Sequence, residues 1–293
     1  MRNWIKKYWA GYFFLGPWLI GLLGLTIIPM STSLYLSFTK YNILNPARFI
    51  GLENYMRMLT DRKFIQSMEV TLRFVFLSVP LRMGFALFIA VLLNRKIRGL
   101  NFYRAVYYVP SLLGGSVAIS ILWRQIFNSE GLVNDVLANF GIQGMNWIAN
   151  PNTALYTLIL LMVWQFGSSM LIFLAALKQV PQELYESADI DGAGHIRKFI
   201  SITIPMITPM ILFNLIMTVI GAFQAFTPAF IISNGTGGPL GSTLLYSLYL
   251  YKRGFTFFQM GYASAMAWLL LAMIAVFTGI IFWTSKKWVF YQG

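Results

Sequence analysis

Apolar residues in this chain gather into six long runs separated by short polar stretches: Tyr12–Phe38, Phe74–Leu93, Ala105–Trp123, Ala154–Leu177, Met206–Ser233 and Tyr262–Trp283. A bilayer core about 30 Å thick is crossed by about 20 residues of helix, and each run is of that order. Only Arg82 places a charge inside any of them. Backbone groups in hydrocarbon must pair within their own segment, so the runs predict helices. The alternating strands of an outer-membrane barrel do not occur. The pattern predicts an all-α membrane protein, one transmembrane domain over residues 1–293 with six transmembrane helices. The first run has 27 residues, too many for a signal-peptide core of about 7–15, and reads as a retained span.

The connections add detail. Asn234-Gly235-Thr236-Gly237-Gly238-Pro239 cannot continue a helix and ends the fifth run. The Leu- and Tyr-rich segment Ser242–Tyr251 suits a piece lying at the membrane interface. Pro17, Pro29, Pro80, Pro110, Pro205, Pro209 and Pro228 lie in or near runs. They read either as ordinary kinks or as hinges lining a pathway.

Composition agrees with burial in lipid. Charged residues make up 11% of the chain and the mean hydropathy is +0.66, whereas a soluble domain carries about a quarter charged residues. The net charge of +13 sits in small clusters bordering the runs rather than on one basic face, which argues against a nucleic-acid partner. With the N-terminus inside, Arg2, Lys6, Lys7, Arg95, Lys96, Arg98, Arg104, Lys178, Arg197, Lys198, Lys286 and Lys287 are cytoplasmic. Lys40, Arg48, Arg57, Arg62, Lys63, Lys252 and Arg253 are then outside. The bias places both termini in the cytoplasm. Cysteine is absent, which excludes disulfides and thiolate metal sites.

No Asp or Glu lies within a run, Glu69 and Glu130 being nearest, and His195 is the one histidine. Carriers driven by protons or cations place ionisable groups in the membrane, so this chain reads as worked by an external motor. Zinc chemistry and paired-carboxylate catalysis lack ligands for the same reason. No G-x-x-x-x-G-K-[ST] nucleotide loop is present.

Four of the nine acids, Glu183, Glu186, Asp189 and Asp191, fall between the fourth and fifth runs. Pro181 can begin a helix there, and Gly192 and Gly194 would break it before a second short helix from His195 toward Thr203. Leu184, Ala188, Ile196, Phe199 and Ile200 sit at helical spacing. Two readings are open from the residues alone: a solvated amphipathic loop, or a compact piece that docks into another protein's cleft.

Glu186-Ser187-Ala188, then Gly192, then Ile202-Thr203-Ile204-Pro205, resembles the EAA motif of binding-protein-dependent ABC importer permeases (EAA, three residues, Gly, nine residues, I-x-L-P), with Ser187 and Ile204 as departures. Asp191-Gly192-Ala193 resembles the common Asp-Gly-Ala form. Asn101–Pro110, Thr236–Thr243 and Tyr249–Ala265 resemble the sugar-permease branch. Phe14–Thr39 followed by Gly51-Leu52-Glu53-Asn54-Tyr55 resembles the first of its two paired permeases, as in maltose and glycerol-phosphate importers. The resemblance implies a type I (MetI-like) permease fold in a bacterial or archaeal cytoplasmic membrane. It implies as partners a second homologous permease, two ATPase subunits and an extracytoplasmic solute-binding protein, with a sugar or oligosaccharide as substrate. ATP and magnesium would be bound by the ATPase, and this chain would hold no cofactor and catalyse nothing. Loop 181–203 would form coupling helices seated in a groove of the ATPase. Glu183, Glu186, Ala188, Asp191, Gly192, Ile202 and Pro205 are the coupling residues, with Glu186 paired to a basic ATPase side chain. A non-sugar solute, or a stand-alone carrier or channel, are the alternatives.

Candidate pathway residues flank that loop. Trp164, Gln165, Ser168 and Ser169 lie in the fourth run, and Asn214, Thr218, Phe223 and Gln224 in the fifth. Trp164 and Ser168, like Asn214 and Thr218, are four apart and would share a helix face. Aromatic faces and amide or hydroxyl groups suit a sugar, while polar residues in spans also join helices. Arg82 costs on the order of 2.5–3.5 kcal/mol near mid-membrane unless paired or wet. It reads either as facing the pathway, where it would favour an acidic saccharide, or as bonding carbonyls freed by Pro80 or snorkelling.

Overall fold

The computed structural model describes residues 2–95 and 98–290; Lys96 of the inner basic cluster and the side chains of residues 2–8, 10 and 12 lie outside the described residues. Four helices are long and apolar enough to cross a membrane: Phe13–Ser37, Arg62–Leu93, His195–Ile232 and Met260–Ser285. Two bent pairs bring the spans to six. They are Leu100–Leu113 with Val117–Ile126, bent by 98°, and Ala154–Trp164 with Gly167–Gln179, bent by 42°. These are the first to sixth spans below, in chain order.

The chain divides into two compact units, Met1–Asp61 with Leu250–Leu271, and Arg62–Tyr249 with Ala272–Gly293. In the first unit, the first span passes through a widened π-turn at Leu22–Ile27 and resumes as helix at Ile28, with Pro29 in the first turn. A π-turn shifts the hydrogen-bond ladder by one residue, which accommodates a residue that has no N–H. The loop after the first span opens as strand rather than helix. Thr39–Asn42 and Asn45–Phe49 form a small antiparallel hairpin, with Thr39 opposite Phe49. Its turn is closed by the Asn45 N–H donating to Asn42 Oδ1 at 2.8 Å. Asn54, at the start of helix Glu53–Thr60, donates from Nδ2 to the carbonyls of Ser37 and Thr39, both at 2.9 Å.

Arg253 Nη2 meets Asp61 Oδ2 at 2.7 Å, and their side chains are 17% and 10% exposed. The Tyr262 hydroxyl donates to the same oxygen at 3.0 Å, and the Arg57 guanidinium stands 4.7 Å from the Tyr262 ring centre. Asp61→Asn keeps the shape but removes the charge that answers Arg253. It should destabilise the protein by about 1 kcal/mol, seen as a melting temperature lower by about 2–4 °C; an unchanged melting curve would refute this role.

In the second unit, the second span begins at Arg62, well before the apolar run at Phe74. Residues 62–73 are amphipathic rather than apolar: Phe64, Ser67, Val70 and Thr71 are buried, and Glu69 pairs outward with Arg73 at 2.5 Å. Hydropathy marks the membrane-thick part of a helix and not its end. Ser67, Thr71 and Ser78 return their hydroxyl protons to carbonyls three or four residues back, so they cost little inside an apolar core. The Leu- and Tyr-rich segment 242–251 packs into protein. Tyr246 and Leu248 are 0% exposed, and the Tyr246 N–H donates to Thr71 Oγ1 at 2.7 Å. Its aromatic and aliphatic residues fill the core because the turn at 234–241 folds the chain back inward.

Candidate functional site

The polar loop between the fourth and fifth spans is a braced hairpin. Pro181 precedes helix Gln182–Ile190, which ends in a Schellman cap. Gly192 has φ +72°, its N–H donates to the Asp189 carbonyl at 3.1 Å, and the Ala193 N–H donates to the Ala188 carbonyl at 2.9 Å. The Ala188 and Gly192 of the motif are thus the two residues of one helix stop. Lys198 Nζ then pairs with Asp189 Oδ1 at 2.5 Å, and the hydroxyls of Tyr185 and Thr203 lie 2.7 Å apart. Both contacts fasten the first arm of the hairpin to the second.

That second arm differs from the expected short helix. His195–Lys198 runs through a π-turn at Phe199–Thr203 directly into Ile204–Phe223, so the arm is the start of the fifth span. Pro205 falls in the first turn after the π-stretch, where the widened ladder takes up its missing N–H. Ile202 and Pro205 are half-buried, whereas Glu183, Glu186, Asp191 and Gly192 are exposed. Glu186 accepts from Gln182 Nε2 at 2.9 Å. The hairpin also leaves large apolar side chains uncovered: Ile190 is 89% exposed and Ile196 76%, with Leu184 and Ile200 beside them. Against it lies a groove of about 630 Å³, lined by Tyr185, His195 and Phe199 from the hairpin and by Val91, Asn94, Arg95 and Leu177 from the adjoining span ends. Among the described residues, no cluster of His, Asp or Glu could hold a metal, His195 included.

The candidate pathway residues distribute differently. Trp164 and Ser168 do not share a helix face, because the fourth span breaks at Gln165–Phe166 between them. This break is joined to the break in the third span. Ser111 Oγ donates to the Gln165 carbonyl at 2.9 Å and accepts the Ser168 N–H at 3.0 Å; Gln165 Nε2 donates to the Gly114 and Leu161 carbonyls, each at 3.2 Å. The polar groups freed by one interruption are satisfied by the other, which is what irregular backbone inside a membrane requires. Trp164 is half-buried against the Trp123 ring at 5.8 Å. Asn214, 2% exposed, reaches toward the Ser169 carbonyl at 3.5 Å. Thr218 and Phe223 are buried, the latter with its ring 5.1 Å from Phe277. Gln224 is exposed where the fifth span breaks.

Of the pathway candidates, Arg82 and Gln165 meet at a cavity of about 250 Å³ whose other walls include Gly115, Met162, Ala225 and Pro228. Gly115 and Ala225 were not candidates on sequence. The signal for them is small residues next to turn-prone ones inside apolar runs.

A chain of six apolar spans, two of them sharply broken, carrying a capped polar hairpin rooted in the fifth, finds its counterpart among known proteins. Residues 82–289 match the family described as binding-protein-dependent transport system inner membrane component. The chain belongs to that family. This permease is 54% identical over 97% of its length, and 93% of the relative's, to a probable ABC transporter permease protein, YesP, of Bacillus subtilis (strain 168). It is 33% identical to the lactose transport system permease protein LacF of Rhizobium radiobacter, over 98% of both chains. It is also 33% identical to the arabinooligosaccharides transport system permease protein AraP of Bacillus subtilis (strain 168), over 91% of this permease and 85% of AraP. Among solved structures, a chain of a bacterial ABC transporter involved in import of the acidic polysaccharide alginate superimposes with a TM-score of 0.82, at 22% identity, over 98% of this permease and 99% of that chain. That similarity establishes the fold.

Proposed function

We propose that this permease forms half of the translocation pathway of an ABC importer for a sugar or oligosaccharide, delivered by an extracytoplasmic binding protein. A second homologous permease completes the pathway, and two ATPase subunits, which bind ATP and magnesium, drive it. This chain holds no cofactor. Both termini face the cytoplasm, as the distribution of Lys and Arg favours. The hairpin at 181–203 seats on the ATPase, with Glu186 toward a basic side chain and the uncovered Ile190 and Ile196 in an apolar cleft. The relatives named for lactose and arabinooligosaccharides support sugar as the cargo.

The observation that carries this reading is the continuity of the hairpin with the fifth span. Closure of the ATPase pair moves the hairpin, and a span rooted in it moves as one piece. A ligand shifts such an equilibrium only by its differential contacts with the two states, and a rigid lever supplies them. The complete complex in lipid vesicles tests this. Uptake of labelled oligosaccharide should require ATP and the binding protein and fall to background without the ATPase. Flux through the permeases alone would favour a channel or carrier. ATP-driven uptake of other solutes and of no sugar would favour a non-sugar importer.

A further inference from the structure

Three backbone interruptions converge on the cavity at Arg82. Gly115 belongs to the break in the third span, Gln165 to the break in the fourth, and Ala225 to the break in the fifth. Non-helical backbone at membrane depth is stable where protein buries it or where it lines a wet cavity, and discontinuous helices are a recurrent way of building substrate sites in transporters. At about 250 Å³ the space is below the ~300–1,000 Å³ of a site for a whole drug-sized ligand, so it is the size of a subsite.

Its one charged wall is Arg82. None of the chain's nine acids lines the cavity. Among the described residues Arg82 makes no hydrogen bond or ion pair, and its Nε is enclosed without a partner. The guanidinium therefore does not bond the carbonyl that Pro80 frees. A planar fork of donors left unanswered in an apolar wall fits a carboxylate, sulfonate or phosphate ester, and beside it Gln165 presents an amide of the kind that meets sugar hydroxyls. We propose that this cavity is an anion subsite, and that the cargo is a saccharide bearing an acidic group which Arg82 binds in transit. This rests on the sugar-import reading above.

The test uses the complete complex in vesicles with two matched probe sets: uronate oligosaccharides of two to four residues, and the same compounds with each carboxylate reduced to a hydroxymethyl group. The acidic set should enter at least tenfold faster. Arg82→Gln should lower acidic uptake tenfold or more and change neutral uptake less than twofold, while Arg82→Lys should retain most acidic uptake. Neutral probes carried well, and unchanged by Arg82→Gln, would overturn the anion subsite and leave sugar import standing. Equal loss of both sets, varying with the anionic lipid content of the vesicles, would assign Arg82 to a lipid phosphate and also overturn it. Import of neither set, with ATP-driven import of a non-sugar solute, would remove the sugar reading and this proposal together. Should Arg82→Gln not assemble, the unaltered complex decides, since neutral probes entering as fast as their acidic parents would overturn the proposal.

Discussion

Gly192→Val should lower substrate uptake by the assembled importer about tenfold to a hundredfold while leaving the chain in the membrane. Gly192 sits at φ +72°, and a Cβ added there meets nothing within 4 Å. The cost is therefore one of backbone conformation and not of space. A side chain held in that region, β-branched most of all, costs about 1–3 kcal/mol, and about 1.4 kcal/mol is a factor of ten in an equilibrium. The chain can relieve the strain only by opening the Schellman cap, which breaks the bonds from Gly192 to Asp189 and from Ala193 to Ala188 and redirects helix Gln182–Ile190. No span is strained by this, so the amount of protein in the membrane should not change. Gly192→Asn gives the contrast, because Asn tolerates the left-handed region and should keep most uptake. Glu186→Ala separates docking from folding. Glu186 is exposed and its one partner is Gln182, so stability should shift by less than about 0.5 kcal/mol, and a fall in uptake reports a lost contact with the ATPase. Uptake near the unaltered rate in Gly192→Val, at equal membrane content, would contradict the lever.

The contrast between hairpin and pathway shows which features are legible in a sequence. The hairpin carries local chemistry: Pro181 starts a helix, Gly192 stops it, and the residues that set both lie within a dozen positions of one another. The docking role proposed for it rests on the spacing of a motif, and the structure adds why Ala188 and Gly192 stand where they do, as the ends of one cap. That its second arm belongs to the fifth span was hidden by Pro205, which reads as a boundary until the π-turn is seen to absorb it. The spans were legible as apolar mass, since hydrophobicity averaged over about 20 residues is insensitive to local geometry. The same averaging conceals the interruptions at Gly114–Ser116, Gln165–Phe166 and Gln224–Phe226, because the residues there are small or singly polar within apolar runs. Gln165 illustrates the ambiguity. Sequence offers it as a pathway group or as helix glue, and in the structure it bonds the Gly114 carbonyl and also walls a cavity. Such a pairing joins residues about fifty apart, and no window along the chain contains both.

The breaks are held together by close backbone approach, and Gly167→Val should expose that as the largest loss of stability from a single substitution in the third and fourth spans. A Cβ at Gly167 would lie 2.3 Å from the Tyr107 carbonyl oxygen and 2.8 Å from the Tyr108 Cα. Those are backbone atoms of the third span, which cannot rotate aside as a side-chain tip does. Overpacking costs about 1–3 kcal/mol where side chains can yield, and more where they cannot; about 3 kcal/mol or more is expected here. Parting the spans would also detach Ser111 from the Gln165 carbonyl and from the Ser168 N–H, leaving buried backbone groups unsatisfied at about 1–3 kcal/mol each. Ser111→Ala removes those bonds without the overlap and should cost less, about 1–2 kcal/mol. Gly84→Ala is the control, a helical glycine of the second span whose Cβ meets nothing within 4 Å, and it should cause no loss. Thermal unfolding of the purified permease complex, followed by size-exclusion chromatography, orders the three. A melting temperature for Gly167→Val at or above that of Ser111→Ala would mean that the third span can withdraw freely, and the two broken spans would then not be locked through their interruptions.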